Sequence, residues 1–170
     1  MSRRLVLLVL LIALAGCREV LLPAAGEPWT ELGTGRAGAD QAYTVRVATD
    51  EASLAELWRA MGLEGSPPDV AWSERLVAGF AQGIGSGCQE LALERIVIDE
   101  PAHVVHPVIV DPLGPRGCDA DLVGAVTFVV SFDRASLPDR PYRIRLVPPD
   151  QQLPCGGDCG SGVPAEVEVP

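Results

Sequence analysis

Val126-Thr127-Phe128-Val129-Val130-Ser131-Phe132 decides the fold class. Val126, Phe128, Val130 and Phe132 alternate with Thr127, Val129 and Ser131, and a period of two is that of a strand with one face on a core. Working outward, Tyr142, Ile144 and Leu146 alternate with Arg143 and Arg145 in the same way. Upstream, Leu76 to Ala81 is an apolar run that leads into the glycine loop Gly83-Ile84-Gly85-Ser86-Gly87. Leu91 to Ile98 and Val104 to Val110 read as two further strands separated by Asp99-Glu100-Pro101. Pro107 interrupts the second of them and argues for an edge position, because proline cannot donate to a ladder. Val163 to Val169 adds a last strand.

One helix precedes this β-rich part. Gln41 to Ala48 is read as a half-buried strand, with Tyr43, Val45 and Val47 facing one way and Thr44 and Arg46 the other. Thr49 then offers an N-cap, and Asp50 and Glu51 suit the first turn of a helix over about residues 50–61. Leu54, Leu57, Trp58 and Met61 form its apolar stripe, which Gly62 closes. The stripe reads as core, not as a ligand groove. One helix and about six to eight short strands predict an α+β domain, mainly antiparallel sheet. A sheet with a helix on it and a partly closed barrel are both open.

Composition sets limits on function. The 170 residues are 48% hydrophobic, enough for one domain with a sizeable core. The net charge is −10, and all 13 basic residues are Arg, with neither Lys nor Asn in the chain. Lys and Asn share AT-rich codons, so a GC-rich genome accounts for the bias. The acidity argues against nucleic acid, whose phosphates need clustered positive charge. The absence of Lys excludes Schiff-base and P-loop catalysts. Eighteen Gly and 15 Pro favour many turns and short strands.

The N-terminus reads as an export signal. Met1-Ser2-Arg3-Arg4 is basic, and Leu5 to Ala15 is an unbroken run of 11 apolar residues. That is too short to span a bilayer, which takes roughly 20, and suits a secretory signal. The run ends in Leu14-Ala15-Gly16-Cys17, which resembles the lipobox of bacterial lipoproteins. The resemblance implies cleavage after Gly16 and a lipid on Cys17. Several acyl chains, at about 0.8 kcal/mol per buried methylene, would hold the chain on a membrane. Loss of Arg3 and Arg4 with residues 1–16 takes the charge from −10 to −12. Arg18, not Asp, follows Cys17; in a diderm cell this favours the outer membrane, and in a monoderm the outer face of the plasma membrane. Residues 17–40 are expected as a lipidated tether with at most one short strand around Trp29 to Leu32. Residues 41–170 are expected as a single β-rich domain.

A second resemblance covers residues 69–133. Asp69-Val70-Ala71-Trp72-Ser73 precedes Leu76-Val77-Ala78-Gly79-Phe80-Ala81-Gln82-Gly83. Gly85-Ser86-Gly87-Cys88 and Leu91-Ala92-Leu93-Glu94-Arg95-Ile96 follow, and the stretch from Val126 to Phe132 ends the series. In this order they resemble the C-terminal domain of the PrcB protease-complex-subunit family. The family usually has a Gly-Gly-aromatic turn where this chain has Gly87-Cys88-Gln89, and often a Pro near Phe128. The resemblance implies a non-catalytic, envelope-located domain that steadies or docks on other surface proteins.

Five cysteines divide into a lipid anchor and four others: Cys88, Cys118, Cys155 and Cys159. An even count in an exported chain reads as two disulfides, with three connectivities open. Cys88–Cys118 and Cys155–Cys159 is the favoured one. Loop-closure entropy gives the first about 3.7 kcal/mol and the second about 2 kcal/mol. A structural zinc site needs two C-x₂₋₄-C pairs, and only Cys155/Cys159 has that spacing. A thiol–disulfide oxidoreductase using Cys155 and Cys159 is the enzymatic alternative, against which stand the C-x₃-C spacing and the lack of a helix start after Cys155. A small-molecule or metal-binding lipoprotein, with the loops around Cys88 and Cys118 as its mouth, is another.

Other candidate chemistry is weaker. His103 and His106 stand as H-x-x-H, but in a strand they point to opposite faces and do not share a metal. Ser86 lies in Ile84-Gly85-Ser86-Gly87-Cys88, which is not the G-x-S-x-G of a nucleophile elbow. Asp119 and Asp121, near Asp111, lack the alternating donors and central Gly of a calcium loop. No catalytic residue, metal site or cofactor is assigned. The expected partners are the membrane, through the lipid, and another envelope protein.

Overall fold

The computed structural model describes residues 27–84, 90–112, 124–146 and 165–170. Eight strands and one α-helix are formed there: β1 (Trp29–Ala37), β2 (Thr44–Ala48), α1 (Glu51–Ala60), β3 (Arg75–Ile84), β4 (Ala92–Asp99), β5 (Val104–Val110), β6 (Gly124–Asp133), β7 (Tyr142–Leu146) and β8 (Ala165–Val169). The first sheet has the order β1-β6-β3-β2, and the second has β4-β5-β7-β8. All pairs are antiparallel except β5 with β7. The strands divide into two separate ladders, so the partly closed barrel is not the architecture. The α+β class with one helix and a mainly antiparallel pattern stands.

β6 is the centre of the first sheet, and Gly124 to Phe132 is buried without a break. Both of its faces are covered. Val126, Phe128, Val130 and Phe132 meet Leu76, Ala78 and Phe80 of β3 and, across the gap, Val105, Ile144 and Leu146 of the second sheet. Phe80 and Phe128 are direct cross-strand partners, a pair type that contributes roughly 0.2–1 kcal/mol beyond Ala–Ala. The opposite face of β6 turns Ala125 and Val129 toward Leu54, Leu57, Trp58 and Met61 of the helical segment. The result is three layers, a helix on a sheet on a sheet. Double burial explains why the alternate positions of β6 are small or apolar instead of charged.

α1 follows the sequence pattern with one correction. Its N-cap is Asp50, not Thr49. Asp50 Oδ1 accepts from the Ser53 backbone N–H at 2.8 Å, and Ser53 Oγ accepts from the Asp50 N–H at 3.2 Å, a complete capping box. Thr49 instead donates its N–H to Ser53 Oγ at 3.1 Å. The stripe of Leu54, Leu57, Trp58 and Met61 is buried as expected. Gly62 takes φ +68 just past the helix, and the fully buried Thr127 donates its hydroxyl to the Met61 carbonyl at 2.6 Å. Gly79, on the helix-facing side of β3, leaves room for Leu57 and Met61.

Three further expectations change. β1 is not a short strand in a tether: it runs nine residues and pairs with β6 from Trp29↔Phe132 to Ala37↔Ala125, with a bulge at Leu32. Weak alternation hid it, because Gly33 and Gly35 give way to Trp58, Leu63 and the Met61 carbonyl. Tyr43 does not share a face with Val45 and Val47. It has φ +58 after a 3₁₀ turn, and its ring lies over Gly83 on the helix-facing side of the first sheet. Val45 faces the inter-sheet core. β5 is not an edge strand in sheet order. Its pairing with β7 stops at Val105, however, so at Pro107 only β4 is paired with it.

Candidate functional site

The connection from β6 to β7 builds the most chemically distinctive surface among the described residues. β6 ends at Asp133, whose carboxylate accepts from the Ala135 N–H at 3.0 Å and caps a 3₁₀ turn over Arg134–Ser136. Leu137 then packs on the inter-sheet core and Pro138 is buried, so the return to β7 is pinned from inside. The His103 ring Nδ1 lies 3.0 Å from the Asp139 carbonyl, and the Arg143 N–H donates to the His103 carbonyl at 2.9 Å. These contacts hold the loop against the start of β5.

A cleft of about 370 Å³ opens in this connection, lined by Arg134, Leu137, Asp139, Arg140 and Tyr142 among others. Arg134 is fixed at three points. Its backbone N–H donates to the Glu74 carbonyl at 2.8 Å, and its Nε donates to the carbonyls of Arg75 at 2.9 Å and Trp72 at 3.2 Å. That bonding spends Nε and leaves the two Nη groups without a protein acceptor among the described residues. Arg140 is exposed and forms no ion pair with another described residue. Tyr142 is 3% exposed, and burial raises its phenol above the ordinary value while the charges of Arg140 and Arg134 oppose the rise. Asp139 also lines the cleft, so its lining holds two basic residues and one acidic one.

A second cleft, about 310 Å³, lies between β1 and the approach to β4 and is lined by Thr34, Gly35, Arg36, Glu90, Leu91 and Val126. It carries one charge of each sign and converges on no single chemistry.

Most residues singled out in the sequence lie elsewhere. Cys17, Cys88, Cys118, Cys155 and Cys159 fall outside the described residues, as do Ser86, Asp119 and Asp121. The disulfide bracing, the Cys155/Cys159 redox pair and the mouth around Cys88 and Cys118 fall there with them. His103 lies one residue before β5 with φ +53, and His106 lies within β5 opposite Val97, so the two do not occupy one strand. Asp111 is half-buried just after β5. No group of three or more His, Cys, Asp or Glu is placed to hold a metal ion among the described residues. No helix there is long and apolar enough to cross a membrane.

The arginine cleft was not among the sequence candidates. Its signal was present in Asp133-Arg134 and Asp139-Arg140-Pro141-Tyr142, two arginines flanking a proline-containing loop in an acidic chain without lysine. What the sequence lacks is the fold that brings both to one cleft with Tyr142. Comparison of the chain with protein-family models, with curated proteins and with solved structures gives no match in any of the three.

Proposed function

We propose that the chain is an envelope lipoprotein, anchored through acyl chains on Cys17, whose two-sheet domain binds or steadies other exported proteins without catalysing a reaction. The order basic segment, 11-residue apolar run and Leu14-Ala15-Gly16-Cys17 supports the anchor. The strand rhythm from Asp69 to Asp133, similar to the PrcB C-terminal domain, supports a docking role. The observation that carries the reading is the seat of β1. Trp29 stands 12 residues after Cys17 and is already paired with Phe132. Twelve residues reach at most about 43 Å, so an anchored domain works within that distance of the membrane surface.

Affinity capture of the lipidated protein from its own membranes tests the binding role, with the full-length Cys17→Ser variant as the soluble control. An exported protein recovered with the lipidated form, and depleted with the control, is the expected result. Recovery of no protein partner under mild extraction contradicts the docking role.

A further inference from the structure

We propose that the cleft formed by Arg134, Arg140 and Tyr142 is a binding site for a phosphoryl group. Three residues that carry donors line it: Arg134, Arg140 and Tyr142. Guanidinium groups bind phosphate through parallel charge-assisted hydrogen bonds, which are about twice as strong as neutral ones. Arg134 is preorganised for this, because its Nε and backbone N–H are already tied to the carbonyls of Trp72, Arg75 and Glu74. Holding a donor in place beforehand lowers the ordering cost of binding. Neither arginine is neutralised by an ion pair among the described residues, although acids outnumber bases 23 to 13 along the chain. With Asp139 also in the lining, the cleft's residues carry one net positive charge. Its volume suits the lower end of the range for small-ligand sites.

The Asp133 N–H donates to the Pro28 carbonyl at 2.7 Å, so Arg134 follows directly on the residue that clasps the chain just before β1. The cleft therefore lies at the end of the first sheet where the chain enters from Cys17. A phosphoryl group there can come from a free phosphate or phosphate ester, or from an anionic phospholipid headgroup. The headgroup source rests on lipid anchoring; phosphoryl binding itself does not.

The test uses the full-length Cys17→Ser protein, so that binding is read apart from the anchor. One arm titrates inorganic phosphate by calorimetry, and a second measures co-sedimentation with phosphatidylglycerol vesicles against phosphatidylcholine vesicles. Saturable binding in either arm, weakened tenfold or more by Arg140→Ala, is the expected result, since a charge-assisted hydrogen bond contributes at least that factor. Tyr142→Phe is the second variant and is expected to weaken binding severalfold with the fold retained. Arg95→Ala, an exposed arginine on β4 paired with Glu94 at 3.3 Å, is expected to leave binding unchanged. Binding in the phosphate arm identifies a free phosphate source; binding to phosphatidylglycerol vesicles alone identifies the headgroup. No binding in either arm, equal weakening by Arg95→Ala, or binding of acetate but not phosphate overturns the proposal. A Cys17→Ser protein that binds phosphate while the wild type fails to fractionate with membranes would overturn the anchor and leave this site standing.

Discussion

Gly62 and Gly65 form a matched pair that tests how the helix end sits against β1. They have nearly the same backbone conformation, φ +68 and φ +73, in the region that side chains other than glycine's rarely adopt. Alanine at either position costs about 1–2 kcal/mol for that conformation alone. Their surroundings differ. A Cβ at Gly65 meets nothing within 4 Å. A Cβ at Gly62 would overlap the Arg36 carbonyl oxygen and fall 2.7 Å from its carbon, which is backbone of β1 and cannot rotate aside. Overpacking of this kind adds about 1–3 kcal/mol. Gly62→Ala is therefore expected to cost about 2–5 kcal/mol and Gly65→Ala about 1–2 kcal/mol. For a chain of this length each kcal/mol lowers Tm by about 2–4 °C. Urea unfolding of the full-length Cys17→Ser protein carrying each variant measures the difference from the midpoints at constant slope. Equal costs for the two variants would refute the close approach of the helix end to β1.

Thr127→Val removes the hydroxyl that bonds the Met61 carbonyl in the buried layer between α1 and β6, and is expected to cost about 1–3 kcal/mol. Thr127→Ser restores the donor, so a serine variant no more stable than valine would contradict the bond's role. The Ser53 backbone N–H holds the Asp50 carboxyl below its ordinary value. The unfolded chain binds that proton more readily, so the stabilisation is present above about pH 4 and is lost as pH falls through the lowered folded value. Asp50→Asn caps without titrating. The stability of wild type relative to Asp50→Asn should therefore decline on acidification, and a difference that stays constant down to about pH 2 would contradict this. Non-reducing peptide mapping of the exported protein is expected to recover Cys88 linked to Cys118 and Cys155 linked to Cys159. Free thiols at Cys155 and Cys159 would rule out that bracing and favour the redox alternative.

The legible part of the fold was the part where one physical demand acts at a time. α1 could be read because Leu54, Leu57, Trp58 and Met61 all serve one face. β7 could be read because Tyr142, Ile144 and Leu146 are buried while Arg143 and Arg145 are not. β1 is hard to read from sequence because its glycines answer to Trp58, Leu63 and the helix end, not to strand propensity. Simple alternation gives Tyr43 the wrong face because its positive φ reverses it. The arginine cleft was invisible for a different reason. Arg134 and Arg140 line one cleft only because Asp133 caps a turn, Leu137 is drawn into the core and Tyr142 starts the next strand. None of those relations is a sequence period.

Intact mass spectrometry of the protein extracted from its own membranes decides whether a lipid ties the domain to a membrane a short distance ahead of β1. The expected species is a chain that begins at Cys17, lacks residues 1–16 and carries the added mass of a diacylglyceryl group. A membrane-extracted chain that begins elsewhere, or begins at Cys17 without lipid, would contradict it.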